Sequence, residues 1–270
     1  MKKRNKVIFL MGAITLSFLL LNFSGSLALA EEEIVVVVEE VEEGPFIDPQ
    51  VEKLMKQMHK YMKSAQQVKF HAEITFDEVL SVGSKMQHLA SMEASLRRPN
   101  RLHVDYDGDL GGKEFWYDGK SITLHDADLN LYAQFPAAAT IKEALKQAID
   151  TYDLSIPLAD IFSGKAYDEL MGNIAYGVYV GLSEVDGILC HHLFFVGFFT
   201  DWQVWIEADE DNPLPRKIVI NHKEEEGYPQ YSARFTNWNL GASLTDNDFI
   251  ADIPEDAEEI EFIVLKEMNK

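Results

Sequence analysis

The chain has 270 residues, of which 24 are Lys or Arg and 45 are Asp or Glu, so its formal net charge at pH 7 is −21. Such an excess of negative charge repels nucleic acid and anionic lipid headgroups, which excludes nucleic-acid binding and a polybasic membrane patch. The single cysteine, Cys190, excludes an internal disulfide bond.

The chain begins with a pattern typical of an export signal. The basic residues of positions 2–6 (KKRNK) precede an apolar stretch at residues 7–21, and Ala28-Leu29-Ala30 supplies the small residues that a signal peptidase requires. The sequence therefore predicts a signal peptide at residues 1–30, cleavage after Ala30, a periplasmic location and no stable membrane span after cleavage. An uncleaved membrane anchor is the alternative.

An acidic linker is predicted at residues 31–47. Seven glutamates lie in this segment (EEEIVVVVEEVEEGPFI), and their mutual repulsion favours an extended, solvated chain. Docking of the valine run at residues 35–38 as an edge strand is the alternative. The remaining residues, 48–270, have the length of a single domain.

The first element of this domain is predicted to be a helix that begins at Pro49, with Asp48 as its N-cap. An apolar stripe at three- and four-residue steps continues to residue 65. Apolar and polar side chains then alternate at residues 68–76, 86–96 and 102–106, which predicts three successive strands.

An antiparallel meander is predicted at residues 113–135. The pair Asp118-Gly119 is typical of a two-residue hairpin turn, which would pair Tyr117 with Lys120 and Phe115 with Ile122. Phe115, Ile122 and Leu124 then share an apolar face, while Trp116 lies on the opposite face. After a reversal at residues 126–128, the alternation resumes at residue 129 and continues to residue 135.

A helix is predicted at residues 141–152, because Thr140 and Glu143 form a capping box. A second meander follows, with a turn at Asp186-Gly187, and residues 249–253 are predicted as a last strand. This order of elements predicts an α+β fold: a strongly curved antiparallel sheet, or half-open barrel, with helices covering its concave face.

Seven blocks of the sequence resemble a known bacterial family of predicted periplasmic proteins, which has the fold of the LolA/LolB lipoprotein-localization factors. The blocks are residues 74–80 (ITFDEVL), 96–107 (LRRPNRLHVDYD), 115–124 (FWYDGKSITL), 156–161 (IPLADI), 179–195 (YVGLSEVDGILCHHLFF), 201–207 (DWQVWIE) and 213–220 (PLPRKIVI). The resemblance extends from about residue 48 to residue 254. It implies a bent sheet whose concavity is plugged by helices, a space that holds lipid acyl chains in the better-known relatives. No activity is established for this family, so the lipid-carrying function is an expectation by analogy.

Inward-facing apolar residues, together with the methionines of the first helix, are the candidate lining of a ligand cavity. The same pattern is typical of side chains that only seal a helix against a sheet, and both interpretations stay open. The candidates are Met55, Met58, Met62, Phe70, Ile74, Phe76, Met86, Met92, Val104, Phe115, Ile122, Leu124, Leu131, Phe135 and Trp202.

A non-enzymatic periplasmic carrier or binding protein for a lipid or acyl-chain ligand is the function that these observations favour. The alternative is a protein-interaction or sensor module with a filled core, whose partner is a protein of the cell envelope. The basic residues Arg97, Arg98 and Arg101 are the candidate rim or partner contact, and local ion pairs in a solvated turn are the competing interpretation.

Catalytic, metal and cofactor sites are not predicted. In Cys190-His191-His192, strand geometry directs His191 away from its two neighbours, which leaves too few ligands on one face for a closed zinc site. The apolar neighbours of Cys190 indicate a buried, unreactive thiol.

Overall fold

The computed structural model describes residues 45–152, 154, 156, 158, 159 and 167–262. The predicted signal peptide and all but the last three residues of the predicted linker lie outside these residues. The strands are β1 (Phe46–Ile47), β2 (Gln67–Val79), β3 (Lys85–Arg97), β4 (Arg101–Gly108), β5 (Lys113–Tyr117), β6 (Ser121–Asp126), β7 (Leu131–Pro136), β8 (Ile174–Val185), β9 (Ile188–Gly197), β10 (Thr200–Glu207), β11 (Pro215–His222), β12 (Gln230–Asn239) and β13 (Glu258–Glu259). The helices are α1 (Pro49–Ser64), α2 (Ile141–Tyr152), α3 (Tyr167–Met171) and a 3-10 turn at Asp246–Phe249.

Within the described residues, these strands form one open sheet in the order β1-β8-β9-β10-β11-β12-β2-β3-β4-β5-β6-β7-β13. Neighbouring strands are antiparallel, except that the short end strands β1 and β13 run parallel to β8 and β7. A sheet of this many twisted strands curves. The predicted fold class, a curved antiparallel sheet with helices on one face, is confirmed.

Two helices cover the concave side of the sheet, here called the inner face. Helix α1 begins as predicted, because the Asp48 carboxylate accepts a hydrogen bond from the Gln50 backbone amide at 2.7 Å. Helix α2 begins after Thr140, as predicted: the Thr140 hydroxyl accepts a hydrogen bond from the Glu143 amide at 3.3 Å and donates one to the Glu143 carboxylate at 3.0 Å.

The core consists of two groups of buried side chains on this inner face. The main core lies beneath α2 and joins Leu145 and Ala148 to side chains of β2 to β7 and β12, such as Phe70 and Ile122. The second group lies beneath α1, where Val51 and Met55 pack on β8, β9 and β10. Helix α3 adds Met171 to this second group. Each helix thus covers a different part of the sheet.

The strands run between two rims. The upper rim carries the loops β2–β3, β4–β5, β6–β7, β9–β10 and β11–β12, and the lower rim carries β3–β4, β5–β6, β8–β9 and β10–β11. The first residue of α2 is tied to the lower rim, since the Ile141 amide donates to the Pro99 carbonyl at 2.9 Å. The chain enters the described domain at the upper rim, where Ile47 lies beside Gly177.

The convex or outer face is crossed by residues 242–257, here called the outer segment. Phe249 is fully buried beneath it, and the Arg97 guanidinium lies 5.3 Å from the Phe249 ring centroid. The Arg97 side chain also donates to the Leu244 carbonyl at 3.1 Å. Trp116, which was predicted on a polar face, is buried here because the outer segment covers it.

The register of the β5–β6 hairpin differs from the prediction. Tyr117 pairs with Ile122 and Phe115 with Leu124, so the loop has four residues instead of two. The cause is the Asp118 carboxylate, which accepts hydrogen bonds from the backbone amides of Lys120 and Ser121, both at 2.8 Å. Because the shift is two residues, every side chain keeps its predicted face.

Two further predictions of strand limits are wrong. Leu129 does not start β7 but lies exposed in the preceding turn, where the Asp126 carboxylate accepts from its amide at 3.0 Å. Residues 249–253 do not form a strand, because Asp248 caps the 3-10 turn by accepting hydrogen bonds from the Thr245 amide and hydroxyl. The turn at Asp186-Gly187 forms as predicted, with φ of 50° and 78°.

Candidate functional site

One row of apolar side chains on the inner face is only partly covered. Strand register places its members side by side near the upper rim, and the row is here called the upper row. Its members in order are Phe195, Trp202, Ile220, Tyr231, Phe76 and His88. The end members Phe195 and His88 are buried, but the four central residues are partly exposed. Nearer the lower rim, most inner-face side chains of the main core are buried.

Aromatic stacking orders both ends of the upper row. The rings of Phe195 and Trp202 stack with centroids 3.9 Å apart, and Phe76 stacks on His88 at 5.3 Å. A ring nitrogen of His88 lies 2.7 Å from the Glu78 carboxylate. The row therefore has rigid aromatic ends and one polar pair beyond Phe76.

The hydroxyl of Tyr231 lies in the middle of this apolar row. Its oxygen is buried, and no described residue offers it a hydrogen-bond partner. Burial raises the pKa of Tyr231, with a smaller contribution from Tyr106, so the phenol stays protonated at neutral pH. A buried hydroxyl without a partner is costly, and it is available to donate a hydrogen bond to a ligand oxygen.

The predicted cavity residues are divided between the two parts of the core. Met55 and Met58 belong to α1 and pack in the second group, between α1 and the sheet, whereas most of the others lie in the main core beneath α2. The buried candidates are Met55, Phe70, Ile74, Met92, Val104, Phe115, Ile122 and Phe135. Met58, Met62, Phe76, Leu124, Leu131 and Trp202 are partly exposed, and Met86 is exposed near the upper rim. Only Phe76 and Trp202 belong to the upper row.

Sequence reasoning missed Ile220 and Tyr231, the two central members of the upper row. Both lie in strands that were predicted, but the pairing of β12 with β2 joins distant parts of the chain. No local pattern carries this pairing. The alternation within β12, where Tyr231, Ala233 and Phe235 share the inner face, was the available signal.

The basic residues predicted as a rim or partner contact hold the protein's own chain together. Arg97 pairs with Asp246, and the guanidinium of Arg101 lies 3.8 Å from the same carboxylate. Arg98 donates to the Ala65 carbonyl at 3.3 Å, and burial lowers its pKa. All three arginines lie at the lower rim, away from the upper row.

Cys190 and its two histidines do not converge. Cys190 and His192 face outward, whereas His191 faces inward and lies 3.0 Å from the Tyr179 hydroxyl oxygen. Burial, followed by the charge of Glu207, raises the pKa of Cys190 to about 11. Across the part of the chain that the structure describes, no group of three or more His, Cys, Asp or Glu side chains could hold a metal ion.

An open cleft of 440 Å³ lies on the outer face, at the lower end of β8 to β12. Its aromatic wall is Trp205, whose indole donates to the Ser183 hydroxyl at 3.0 Å and stacks on His192 at 4.1 Å. Arg234 completes the cleft and pairs with Asp186 at 2.9 Å. These polar groups bind each other, which makes the cleft a solvated surface rather than a site for an apolar ligand.

Several solved structures are similar to the chain. MucB is 13% identical over 76% of this chain with a TM-score of 0.45, and the chain spans only 63% of MucB. Lipoprotein LppX from Mycobacterium tuberculosis is 15% identical over 73% of this chain and 100% of its own, with a TM-score of 0.48. A LolA superfamily protein from Nitrosomonas europaea is 10% identical over 75% of this chain and 98% of its own, with a TM-score of 0.37. All three scores are low, and the fold is defined by the strand order and register above.

No curated protein matches the chain. In the part of the chain that the structure describes, no helix has the length and apolar character needed to cross a membrane. A family model described as "Predicted periplasmic protein (DUF2092)" matches residues 51–263, which include every described strand except β1 and all of the described helices except the first two residues of α1. The chain belongs to this family of predicted periplasmic proteins.

Proposed function

We propose that this protein is a non-enzymatic carrier or binding protein of the bacterial envelope, which holds a lipid-like ligand against the upper row. The observation that carries this proposal is a partly exposed apolar row with a buried, unpartnered hydroxyl at its centre. Apolar surface of this kind gains stability when a ligand covers it, and the hydroxyl gains a partner when that ligand brings an oxygen atom.

The dimensions of the upper row suit one extended hydrocarbon chain. Six side chains lie on adjacent strands, and an interstrand spacing of about 4.8 Å makes the row about 24 Å long. A ligand that buries about 300 Å² of apolar surface gains about 7 kcal/mol, from which the entropic cost of association must be subtracted. The net affinity expected is therefore moderate, as an exchangeable cargo requires.

The polar group of the ligand is expected beside Tyr231. The phenol is a hydrogen-bond donor at neutral pH, since burial raises its pKa. An ester or carboxyl oxygen is a suitable acceptor. A charged group on the ligand is disfavoured, because the nearest ionisable side chains, His88 and Glu78, already bind each other, with a ring nitrogen 2.7 Å from a carboxylate oxygen.

A fluorescent fatty-acyl probe tests this function. The exported wild-type protein is expected to bind the probe, and Phe76→Asp is expected to weaken binding strongly, because a carboxylate in the apolar row must be desolvated. Thr75→Asp is the matched control: Thr75 is adjacent but faces outward, and it pairs with Leu89 and Ser232. Melting curves of both variants separate lost binding from unfolding.

The proposal fails if the folded wild-type protein takes up no probe and carries no lipid extracted from its own host. The protein-interaction module would then take its place, with the inner face serving as core only. Binding that is equal in wild type, Phe76→Asp and Thr75→Asp would instead place the ligand elsewhere on the protein.

We also propose that export removes residues 1–30. The basic start, the apolar stretch and the small residues before Glu31 support this, as does the family description. The intact mass of the protein from the periplasmic fraction is expected to correspond to a chain that begins at Glu31. A mass that includes the first 30 residues, in a membrane fraction, would contradict it.

A further inference from the structure

Every hairpin loop of the upper rim presents a large apolar side chain to solvent. These side chains are between 51 and 80% exposed. They are Val82 in β2–β3, Leu110 in β4–β5, Leu129 in β6–β7, Phe198 and Phe199 in β9–β10, and Tyr228 in β11–β12. Phe46 in β1, where the chain enters the domain, adds another exposed ring at the same rim.

The lower rim lacks this feature in its described hairpin loops. Arg98, Pro99 and Asn100 form one loop, and Asp118-Gly119 and Asp186-Gly187 form two others. Leu214, the large aliphatic residue of the β10–β11 loop, is buried. Among the hairpin loops that the structure describes, the exposed large apolar side chains therefore lie at the upper rim, although strands β8 and β9 also expose Val180, Leu182 and Leu189. Scattered exposed apolar residues are ordinary, but segregation of this kind marks an interaction surface.

The spacing of these side chains identifies the kind of partner. Successive loops of the upper rim are two strands apart, or about 10 Å, so the side chains form a row of separate points. A protein partner would need a matching pocket for each point. A lipid bilayer accepts each side chain independently at the boundary between headgroups and acyl chains.

Charge at the upper rim selects the class of lipid. Its lysines are engaged within the protein: Lys85 lies 3.3 Å from Asp77, Lys113 2.5 Å from Asp126 and Lys223 2.9 Å from Asp201. The β11–β12 loop adds three consecutive acidic residues at positions 224–226. Anionic lipid is therefore repelled rather than attracted.

We propose that the upper rim docks on the surface of an electrically neutral lipid bilayer. The upper row lies next to this rim on the inner face, so docking would bring the partly exposed row to the membrane surface. The proposal rests on the rim residues alone and does not require the proposed ligand. Membrane binding and ligand binding are measured separately, so that either can fail without the other.

Flotation with vesicles tests the docking, using the exported protein. Phosphatidylcholine vesicles are expected to bind the wild-type protein, and replacing a fifth of the lipid with phosphatidylglycerol is expected to weaken binding at low salt. Substituting both Phe198→Ser and Phe199→Ser is expected to weaken partitioning about tenfold, because two rings no longer leave water. Leu189→Ser is the matched control, since Leu189 is 48% exposed at the lower rim.

A second measurement does not depend on removing apolar residues. Val82→Cys, at a site that is 80% exposed, is labelled with an environment-sensitive dye. The native Cys190 does not compete for the label, because it is fully buried and its thiol is held protonated. The dye emission is expected to shift to the blue on addition of phosphatidylcholine vesicles.

Four results would overturn the docking proposal. The first is a folded wild-type protein that does not bind neutral vesicles, and the second is tighter binding to anionic vesicles. The third is a Phe198→Ser and Phe199→Ser variant that binds as well as wild type and keeps its melting temperature. The fourth is a Leu189→Ser variant whose binding is weakened as much as that of the rim variant.

Discussion

Truncation of Phe249 is the sharpest test of how the outer segment is attached to the sheet. The ring is fully buried between the outer segment and the sheet, with the Arg97 guanidinium 5.3 Å from its centroid. Replacing a buried Phe with Ala costs about 3–5 kcal/mol. The lower end applies here, because a cleft of 180 Å³ beside Phe249 and Trp116 lets the site collapse and water enter.

We therefore expect Phe249→Ala to lower the free energy of unfolding by about 3 kcal/mol. In a domain of this size, the melting temperature should fall by about 6–12 °C. Urea unfolding followed by tryptophan fluorescence and by far-ultraviolet circular dichroism measures the change. The control is Ile250→Ala, because Ile250 is next in the chain but exposed, and its truncation should change stability by less than about 0.5 kcal/mol.

The reasoning is refuted if Phe249→Ala and Ile250→Ala unfold at the same urea concentration. An early transition in which only fluorescence changes would also count against it. In that case the outer segment would detach from Trp116 before the sheet unfolds, and Phe249 would not belong to the cooperative domain.

Three further predictions concern a pair of turns, a thiol and an imidazole. Gly187→Ala should cost about 1 kcal/mol in urea unfolding, because φ is +78° but the surroundings of Gly187 are open. Gly119→Ala should cost more, because φ is +87° and the added Cβ would also crowd the Asn100 backbone carbonyl at 3.0 Å and displace the Arg101 guanidinium. Equal costs for the two substitutions would contradict this reasoning. Cys190 should resist thiol reagents at pH 8 until urea unfolds the protein, and rapid labelling of the folded protein would show that the burial is wrong. Burial lowers the pKa of His103 below its ordinary value of 6.5, so the unfolded chain binds the proton more readily than the folded protein does. The free energy of unfolding should therefore fall as the pH drops below about 6.5. His103→Gln should reduce this fall between about pH 7.5 and 5.5, and an unchanged dependence of stability on pH would refute the reasoning.

Local chemistry explains which elements could be predicted from the sequence. The start of α1 depends on Asp48 and Pro49, and the start of α2 depends on Thr140 and Glu143, all within one helical turn. The faces of β2, β3 and β4 follow from alternation alone. The β5–β6 register did not follow, because a dipeptide rule does not include hydrogen bonds that Asp118 accepts.

Long-range contacts explain what could not be predicted. Trp116 alternates as an outward-facing residue, and only the outer segment, far along the chain, makes it buried. The upper row exists because β12 pairs with β2, which brings Tyr231 beside Phe76. The candidate list therefore contained Trp202 and Phe76, which flank the centre of the row, but not the central residues Ile220 and Tyr231. Arg97 was predicted as part of a rim or partner contact, but its actual partner, Asp246, lies in the same distant outer segment.

The different coverage of the two ends of the inner face has a consequence for how a ligand would be exchanged. Lifting α2 from the sheet would expose Ile141 and Leu145, at a cost of about 1.5–3 kcal/mol for each side chain, and would also break the Ile141 hydrogen bond at the lower rim. Among the described residues, no comparable barrier covers the centre of the upper row, where Trp202, Ile220 and Tyr231 are already partly exposed. If the proposed ligand occupies this row, the cheaper route in and out is therefore past the upper rim, with both helices in place. Exchange by this route requires contact between the upper rim and a bilayer, and it does not require a helix to move. The exposed apolar side chains of the upper-rim loops, such as Val82 and Tyr228, lie where that contact would be made.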